Sequence, residues 1–180
     1  GLNSLRHYPT KGILALEKVA GLKSNVPLAS DDIGFTIGPR LNAVGRLGQA
    51  MMAIDLLTTE SDERAKELAK FVHDLNSQRQ TVDRSVFRAA NKQAQNDFSP
   101  STDPALVLDG KGWHPGVVGI VAGRLAERYH RPVIVISRDE LGVKPGTGSG
   151  RGEPGFDLHA ALEACSTHLL SYGGLKAAAG

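Results

Sequence analysis

Two arginines and an asparagine lie close together in the segment PRLNAVGRLG, residues 39–48, among glycines and other small residues. Arg40 and Arg46 are six residues apart, and Asn42 lies between them. A guanidinium group can bind a phosphate through two parallel hydrogen bonds, and an asparagine amide can position a ligand or a neighbouring loop. The segment therefore predicts either a phosphate-binding turn or a packed helix whose arginines are solvated, and these ten residues do not separate the two.

A second candidate site is the stretch GTGSGRGEPGFDLHAAL, residues 146–162, where Arg151 is the only cation among five glycines. A third is GWHPGVVGIVAGR, which places His114 and Pro115 just before a helix whose first turn carries Gly116. The N–H groups at such a helix start can bind an anion, and a histidine there can donate a further hydrogen bond. The alternative is that His114 only caps the turn.

The sequence shows no pattern typical of a complete catalytic centre. The histidines are scattered without metal-ligand spacing, and we predict no metal site and no catalytic residue in this chain. A Walker loop, a nucleophile elbow and a dinucleotide fingerprint are also missing. Cys165 lies in an alanine-rich helical pattern and is predicted to be a buried, inert thiol. If the chain belongs to an enzyme, its reactive centre lies elsewhere.

The composition is that of a soluble protein with one or two compact units: 180 residues, of which 41% are hydrophobic and 22% charged. The net charge of +2 gives no argument for a polyanionic partner by itself. No stretch is long and apolar enough for a membrane span or a signal peptide, so we expect a cytoplasmic monomer without membrane contact. Because the sequence lacks an initiator methionine, we also expect a fragment of a longer protein.

The first half of the chain is predicted to be helical. Pro9 and Thr10 mark the start of a short helix that Gly21 ends. Ser30 and the two aspartates after it are predicted to cap a helical phrase that Gly38-Pro39 breaks. The phrase AMMAIDLL predicts another short helix.

The longest predicted element runs from Ser61 to about Phe98 without glycine or proline. Its apolar seam follows spacings of three and four, which predicts a single helix of about 50 Å. The seam consists of Ala65, Leu68, Val72, Leu75, Arg79, Val82, Val86 and Ala89. Such a helix could form a homodimeric coiled coil, but an arginine and two alanines on the seam favour a linker helix packed on domains at both ends.

The second half is predicted to be α/β. The polar stretch FSPSTDPA suggests a boundary near residue 100. After it, ALVLDG reads as a buried strand, VVGIVAGRLAERY as a helix and PVIVIS as a second buried strand, which together predict a parallel βαβ unit. GSGR is a third strand or a loop, and FDLHAALEAC is a helix with Asp157 near its start.

Several of these phrases occur together, in the same order, in one family. IGFTIGPRLNAVGRLG, LNSQRQ, GWHPGVVGIVAGRLAERYHRPVIVIS, GSGRGEPGFDLHAALEAC and YGGLKAAAG resemble the C-terminal part of the RecJ family, bacterial single-strand-specific exonucleases of the DHH phosphoesterase superfamily. The resemblance implies that residues 1–59 are the tail of the catalytic DHH domain. It implies that residues 60–99 are the connecting helix and hinge, and that residues 100–180 are a DHH-associated domain with a mainly parallel sheet.

The resemblance also implies a function for the candidate sites. In this family, single-stranded DNA enters a cleft with a Mn²⁺ or Mg²⁺ site and is hydrolysed from 5′ to 3′, in DNA repair and recombination. The metal ligands would lie upstream of this chain, and Arg40, Asn42 and Arg46 would support the cleft. Small residues let a phosphate approach the main chain closely. The residues expected to contact phosphate are His114, Ser149, Gly150, Arg151, Gly173 and Gly174.

Two positions differ from the family pattern. Gly152 stands where a serine is usual, and Leu175 follows the glycine pair where a histidine is usual. The first change removes a hydroxyl donor and the second removes an imidazole expected to face the cleft. Two other functions stay open: a phosphoesterase acting on short oligonucleotides or cyclic dinucleotides, and a non-catalytic nucleic-acid-binding module.

Overall fold

The computed structural model describes residues 1–23, 26–99 and 101–180, which form a mixed α/β chain. The chain divides into two compact units, Gly1–Thr81 and Val82–Gly180. The helices are α1 (Leu2–His7), α2 (Lys11–Ala20), α3 (Gly38–Arg46), α4 (Ala50–Thr58), α5 (Asp62–Asp97), α6 (Pro115–Tyr129) and α7 (Leu158–Ala164). The strands are β1 (Leu106–Lys111), β2 (Val133–Arg138), β3 (Thr147–Arg151) and β4 (Ala178–Ala179).

The predicted short helices of the first unit are confirmed, and their ends follow from local chemistry. The Thr10 side chain accepts a hydrogen bond from the Ile13 N–H at the start of α2. Gly21 ends the same helix at φ 75°, a left-handed conformation that glycine adopts without steric cost. Helix α4 covers the AMMAIDLL phrase as predicted.

The predicted helix break at Gly38-Pro39 is wrong. Residues Asp32–Ile37 form a π-helical segment that continues directly into α3. The Gly38 N–H still bonds to the Ile33 carbonyl, and Pro39 falls in the first turn of α3, a position that the fixed φ of proline suits. The change from π to α geometry thus accommodates the proline without ending the helix. The Asp32 carboxylate accepts from the Ala29 N–H, outside the helix.

Helix α5 has 36 residues and confirms the predicted long helix. Ala65, Leu68 and Val72 pack into the hydrophobic core of the first unit. On the same helix, Val86, Ala90 and Ala94 pack into the core of the second unit. The seam is therefore buried within the chain, which argues against the coiled-coil dimer. One seam assignment was wrong: Ala89 is exposed and Ala90 is buried, because 3.6 residues per turn moves the buried face off a strict seven-residue repeat.

The second unit contains the predicted βαβ unit. Strands β1 and β2 pair in parallel, with Leu106 opposite Val133, and α6 connects them. The prediction of a mainly parallel sheet is wrong, since the order is β1-β2-β3-β4 and both later pairs are antiparallel. Parallel strands need a long crossover, usually a helix, whereas only residues 139–146 join β2 to β3.

Helix α7 begins at Leu158, with Asp157 near its start as predicted, and the Asp157 side chain caps the helix by accepting from the Ala160 N–H. The prediction of a buried thiol at Cys165 is wrong: this residue is exposed, immediately after the last residue of α7. The helix is only 7 residues long and buries Leu158 and Leu162, so the residue that follows its end lies beyond the packed face.

The division between the two compact units falls inside α5, between Thr81 and Val82. The composition break near residue 100 lies later in the chain, and Pro100 lies outside the described residues. The difference has a physical cause, since the last turns of α5 contribute buried side chains to the second core. Among the described residues, no helix combines the length and the apolar character needed to cross a membrane.

Candidate nucleic-acid interface

Strand β3 carries the GSGR sequence and presents it on two different faces. Successive residues of a strand point to opposite sides of the sheet. Ser149 and Arg151 face α6, and the space beside Gly119 of that helix is filled by both side chains. Gly150 faces the other side, where it is buried and lies close to the Leu158 side chain. The expected phosphate-contacting residues are thus split: Ser149 and Arg151 share one face, and Gly150 packs in the sheet.

Helix α6 is closely fitted to Arg151. A methyl group added at Gly119 would lie 2.9 Å from Oγ of Ser149 and 3.1 Å from Nη2 of Arg151. One turn later, the same addition at Gly123 would lie 3.8 Å from Cγ of Arg151. The first separation is shorter than a normal van der Waals contact and the last is an ordinary one. The arginine therefore runs along a glycine-lined face of α6, and the position of its guanidinium requires that residue 119 has no side chain.

The Arg151 guanidinium is held by its own strand. Its Nη1 donates to the Gly150 carbonyl at 2.6 Å and to the Ser149 hydroxyl at 3.2 Å. The side chain is half-buried, which restricts its rotamers before any ligand arrives. A pre-oriented guanidinium loses less conformational entropy when it binds an anion. Ser149 and Arg151 together offer a hydroxyl and a cationic fork to a phosphate.

His114 caps the start of α6. Its Nδ1 accepts from the Gly116 N–H at 3.0 Å, which confirms the capping role that the sequence left as an alternative. An Nδ1 atom that accepts a hydrogen bond carries no proton, so the neutral ring holds its proton on Nε2. The second ring nitrogen can thus act as a donor. Gly119 comes five residues after His114 along the chain, an axial rise of about 7.5 Å.

The chain from Gly173 to Gly180 folds back on itself beside β3. The Gly173 and Gly180 backbones exchange two hydrogen bonds, of 2.8 and 2.9 Å. Strand β4 then pairs Ala178 with Arg151. The glycine pair and GSGR are therefore brought into one sheet, although the Gly173 N–H is already engaged within the hairpin.

The two departures from the family pattern lie in this same region. Gly152 donates its N–H to the Ala177 carbonyl, and an added methyl there would lie 3.2 Å from the Lys176 carbonyl oxygen. That distance is tight, so the local backbone fits glycine better than a larger residue. Leu175 is 77% exposed, and a leucine side chain there can offer neither a donor nor an acceptor.

The arginines of α3 have different environments. Arg40 is half-buried; its Nη1 donates to the Thr36 carbonyl at 2.6 Å and its Nε lies 3.3 Å from Nδ1 of His73. Burial lowers the pKa of the Arg40 guanidinium. Asn42 and Arg46 are exposed and line a shallow cleft of about 330 Å³ between α3 and α4. The structure thus brings Asn42 and Arg46 together at one cleft. Arg40 is directed instead towards Thr36 and towards His73 of α5.

A metal centre was not expected from the sequence. Within residues 1–23, 26–99 and 101–180, no group of three or more histidine, cysteine, aspartate or glutamate side chains is arranged to hold a metal ion. The residues that are described therefore do not fit a divalent-metal site of their own.

Comparison with known proteins shows which proteins this chain resembles. The DHHA1 domain matches residues 102–180. Over its whole length, the chain is 38% identical to the single-stranded-DNA-specific exonuclease RecJ of Bacillus subtilis (strain 168). It is 32% identical to the crystal structure of RecJ in complex with Mg²⁺ from Thermus thermophilus, with a TM-score of 0.85 over 100% of the chain. The chain resembles one part of the RecJ exonucleases.

A further RecJ structure, bound to manganese, matches 99% of this chain with a TM-score of 0.82 and 34% identity. The RecJ of Escherichia coli (strain K12) is 37% identical over 94% of the chain. The chain spans only 22% of the Bacillus relative and 30% of the Escherichia relative. It covers 27% of the magnesium-bound structure and 42% of the manganese-bound one.

The sequence analysis did not identify the glycine face of α6 that packs against Arg151. Gly119 and Gly123 fall in the phrase GVVGIVAGR, which the sequence predicts only as an ordinary helix preceded by His114. A spacing of four residues between glycines puts both on one helix face, which is the signal that could have identified a close approach. The partner of that face, Arg151, lies 32 and 28 residues later and is brought there only by the antiparallel turn of β3.

Proposed function

We propose that this chain is the part of a RecJ-type exonuclease that grips the phosphate backbone of single-stranded DNA. The observation that carries the proposal is the pair formed by Ser149 and Arg151, side by side on β3 against α6. A hydroxyl and a half-buried guanidinium together provide charge-assisted hydrogen bonds to a phosphate, and such contacts are independent of base sequence. The similarity to RecJ exonucleases over the whole chain supports the same function.

In this proposal, the complete enzyme hydrolyses single-stranded DNA from 5′ to 3′ as a cytoplasmic monomer in DNA repair and recombination. Mn²⁺ or Mg²⁺ would supply the nucleophile and stabilise charge on the scissile phosphate, with ligands outside this chain. Solved relatives contain each of these ions. Arg151 and Ser149 hold the substrate, the His114 Nε2–H offers one further donor, and Arg46 and Asn42 support the cleft.

The domain assignment is also part of the proposal. Residues 1–59 would belong to the catalytic DHH domain and residues 60–99 would connect it to the DHH-associated domain. The DHHA1 match at residues 102–180 supports the last of these three assignments.

The test measures release of nucleotides from a 5′-labelled single strand in the presence of Mn²⁺. The protein at its natural length should release them, and the isolated 180 residues should not, because the described residues provide no metal site. Turnover of a cyclic dinucleotide, with no cleavage of long single strands by the natural-length protein, would replace this proposal with the short-substrate phosphoesterase. Binding without any hydrolysis would support a non-catalytic module.

A further inference from the structure

The two halves of helix α5 carry different charge patterns. Residues Asp62–Asp74 contain four acids and three cations. Ion pairs with neighbouring elements and along the helix use part of that charge, as in Lys11–Asp62, Arg64–Asp55 and Arg64–Glu67. Mixed signs of this kind are typical of an ordinary solvated helix face.

From Leu75 to Asn96 the same helix contains a single acid, Asp83. The Asp83 side chain is only 13% exposed and pairs with Arg124 of α6 at 3.4 Å. Its charge is therefore directed into the second unit, where Arg124 also stacks on the Phe87 ring at 3.9 Å. Apart from Asp97, the exposed last residue of the helix, the solvent side of this half is left without a carboxylate.

Three cations occupy that solvent side. Arg84, Arg88 and Lys92 are all exposed, and spacings of four residues place them on one face over about 12 Å of helix. The opposite face carries Val86 and Ala90, which are buried. We call Arg84, Arg88 and Lys92 the basic stripe. Ser85 and Gln95 are exposed beside it and add neutral donors.

We infer that the basic stripe is a second binding surface for the backbone of single-stranded nucleic acid, separate from the Arg151 site. This inference rests on the proposed function, because the polyanion is identified as the substrate strand. A regular row of cations with hydrogen-bonding neighbours matches the repeating phosphates of a strand. Phe87, the one aromatic residue between Leu75 and Asn96 of this helix, is half-buried beneath Arg124, so the surface reads charge and not base identity.

The position of the basic stripe indicates how long a single-stranded DNA must be to contact it. Gln93 accepts a hydrogen bond from the Asp109 N–H, which sets α5 beside β1. Arg151 lies on β3, with β2 between the two strands. A single-stranded DNA that reaches both surfaces must therefore be longer than one that fills the Arg151 site alone. The stripe contributes to binding of long strands and contributes nothing to a dinucleotide.

The test compares two pairs of exposed cations, each four residues apart on the same helix. The stripe pair is Arg88→Gln with Lys92→Gln, and the matched control is Lys66→Gln with Lys70→Gln. Glutamine is a good helix former, so both pairs preserve α5. Fluorescence anisotropy measures binding of labelled oligodeoxythymidylate, short and long, to the natural-length protein at several salt concentrations without divalent metal.

The stripe pair should weaken binding of the long oligonucleotide about 25-fold at 0.1 M salt and flatten the slope of log affinity against log salt by about 1.4. The control pair should stay within about twofold, because acids flank it. Arg88→Lys should keep the slope. Equal losses for both pairs, or unchanged binding for the stripe pair, would overturn the inference, and the second result would favour an acidic protein as the partner of the stripe.

Arg151→Ala, measured in parallel, separates the inference from the proposed function. If Arg151→Ala weakens binding and the stripe pair does not, only the second surface is wrong. If the natural-length protein binds no single strand at all, both fail.

Discussion

Arg151 and Arg40 are both half-buried arginines, yet they are held in opposite ways. Arg151 lies on a strand, against a glycine-lined helix face, and its guanidinium bonds within β3 at the surface shared with Ser149. Arg40 lies on a helix and bonds inward, to Thr36 at the π-to-α junction and to His73 of α5. From this difference we expect that Arg151 serves a ligand and that Arg40 serves the fold, although both stand in segments that the sequence singled out.

The largest expected effect is on the ligand side of this comparison. Arg151→Ala should weaken binding of single-stranded DNA by about 1.5–3 kcal/mol, whatever the base sequence, because a charge-assisted hydrogen bond to phosphate is lost. It should also flatten the salt slope by about 0.7. Arg151→Lys should restore the slope and only part of the affinity, since an ammonium cannot form the bidentate fork.

The control is Lys144, which shares with Arg151 the stretch 141–152, where there is no acidic residue, and which is exposed to solvent between β2 and β3. Lys144→Ala should cost about 1 kcal/mol of binding or less. Anisotropy titrations at several salt concentrations measure both variants. Indistinguishable results for Arg151→Ala and Lys144→Ala would mean that GSGR is no more than a basic surface segment.

The next variant keeps the arginine at position 151 but displaces its side chain. Gly119→Ala should weaken binding about tenfold, because the added methyl displaces the ends of Ser149 and Arg151. Gly123→Ala should leave binding within about twofold, since its methyl makes an ordinary contact. Alanine favours the helix by about 1 kcal/mol at each position, so neither variant should lose much stability.

The decisive measurement for Gly119 is a double-mutant cycle. In an Arg151→Ala background the binding loss from Gly119→Ala should shrink, because the displaced guanidinium is no longer present. If the two losses simply add, Gly119 acts independently of Arg151 and does not position it.

On the fold side, Arg40→Ala should lower the free energy of unfolding by about 1–2 kcal/mol, because the half-buried Thr36 carbonyl and the His73 ring lose a charged donor. Arg46→Ala, at an exposed position, should change it by about 0.5 kcal/mol or less. The sequence alone predicts that both variants reduce turnover strongly at nearly unchanged melting temperature. Chemical denaturation and turnover measurements on both variants distinguish a structural role from a role in the cleft. Normal stability with lost turnover in Arg40→Ala would show that Arg40 supports the cleft, as the family resemblance implies.

The smallest effect concerns the far face of β3, where α7 packs. The hydrogen bond from the Ala160 N–H, and then Lys176, lowers the pKa of Asp157. A carboxyl whose pKa is lower in the folded state stabilises the fold above its unfolded pKa of about 3.9, and that contribution is lost as the pH falls through the folded pKa. An asparagine at this position would cap the helix equally well. Asp157→Asn should therefore be slightly less stable at pH 7, and in denaturation measurements the gap should close below about pH 4. A gap that widens in acid would contradict this assignment.

Much of the fold could be predicted from local signals. The cap at Thr10, the glycine at position 21, the long run without glycine or proline, and the βαβ pattern all follow from short-range chemistry, and the structure has each of them. The sequence left GSGR as a third strand or a loop, and the antiparallel pairing of β3 was missed, because GSGR has neither alternating nor continuous apolar residues. The π-helical passage through Gly38-Pro39 was missed because the rule that proline ends a helix assumes α geometry before it.

The candidate site shows where sequence reasoning stops. Residue types singled out Arg151 and His114 as candidates, and the family resemblance added Ser149. They could not show that Gly150 points away from Ser149, which depends on strand alternation, or that Arg40 bonds to His73, 33 residues later. Such pairings are decided by tertiary packing, which a single sequence does not encode in any short window.

Helix α5 also limits how the DHHA1 domain can be transplanted. The family match begins at residue 102, but Val86, Ala90 and Ala94 from before that point are part of the core that covers β1 and β2. A chimaera that joins residues 102–180 to a foreign protein would inherit an uncovered apolar surface, whereas one that begins near residue 82 would carry its own cover. In modular evolution, the portable unit is therefore longer than the segment defined by sequence similarity, and any host that receives the shorter one must supply an amphipathic helix of its own.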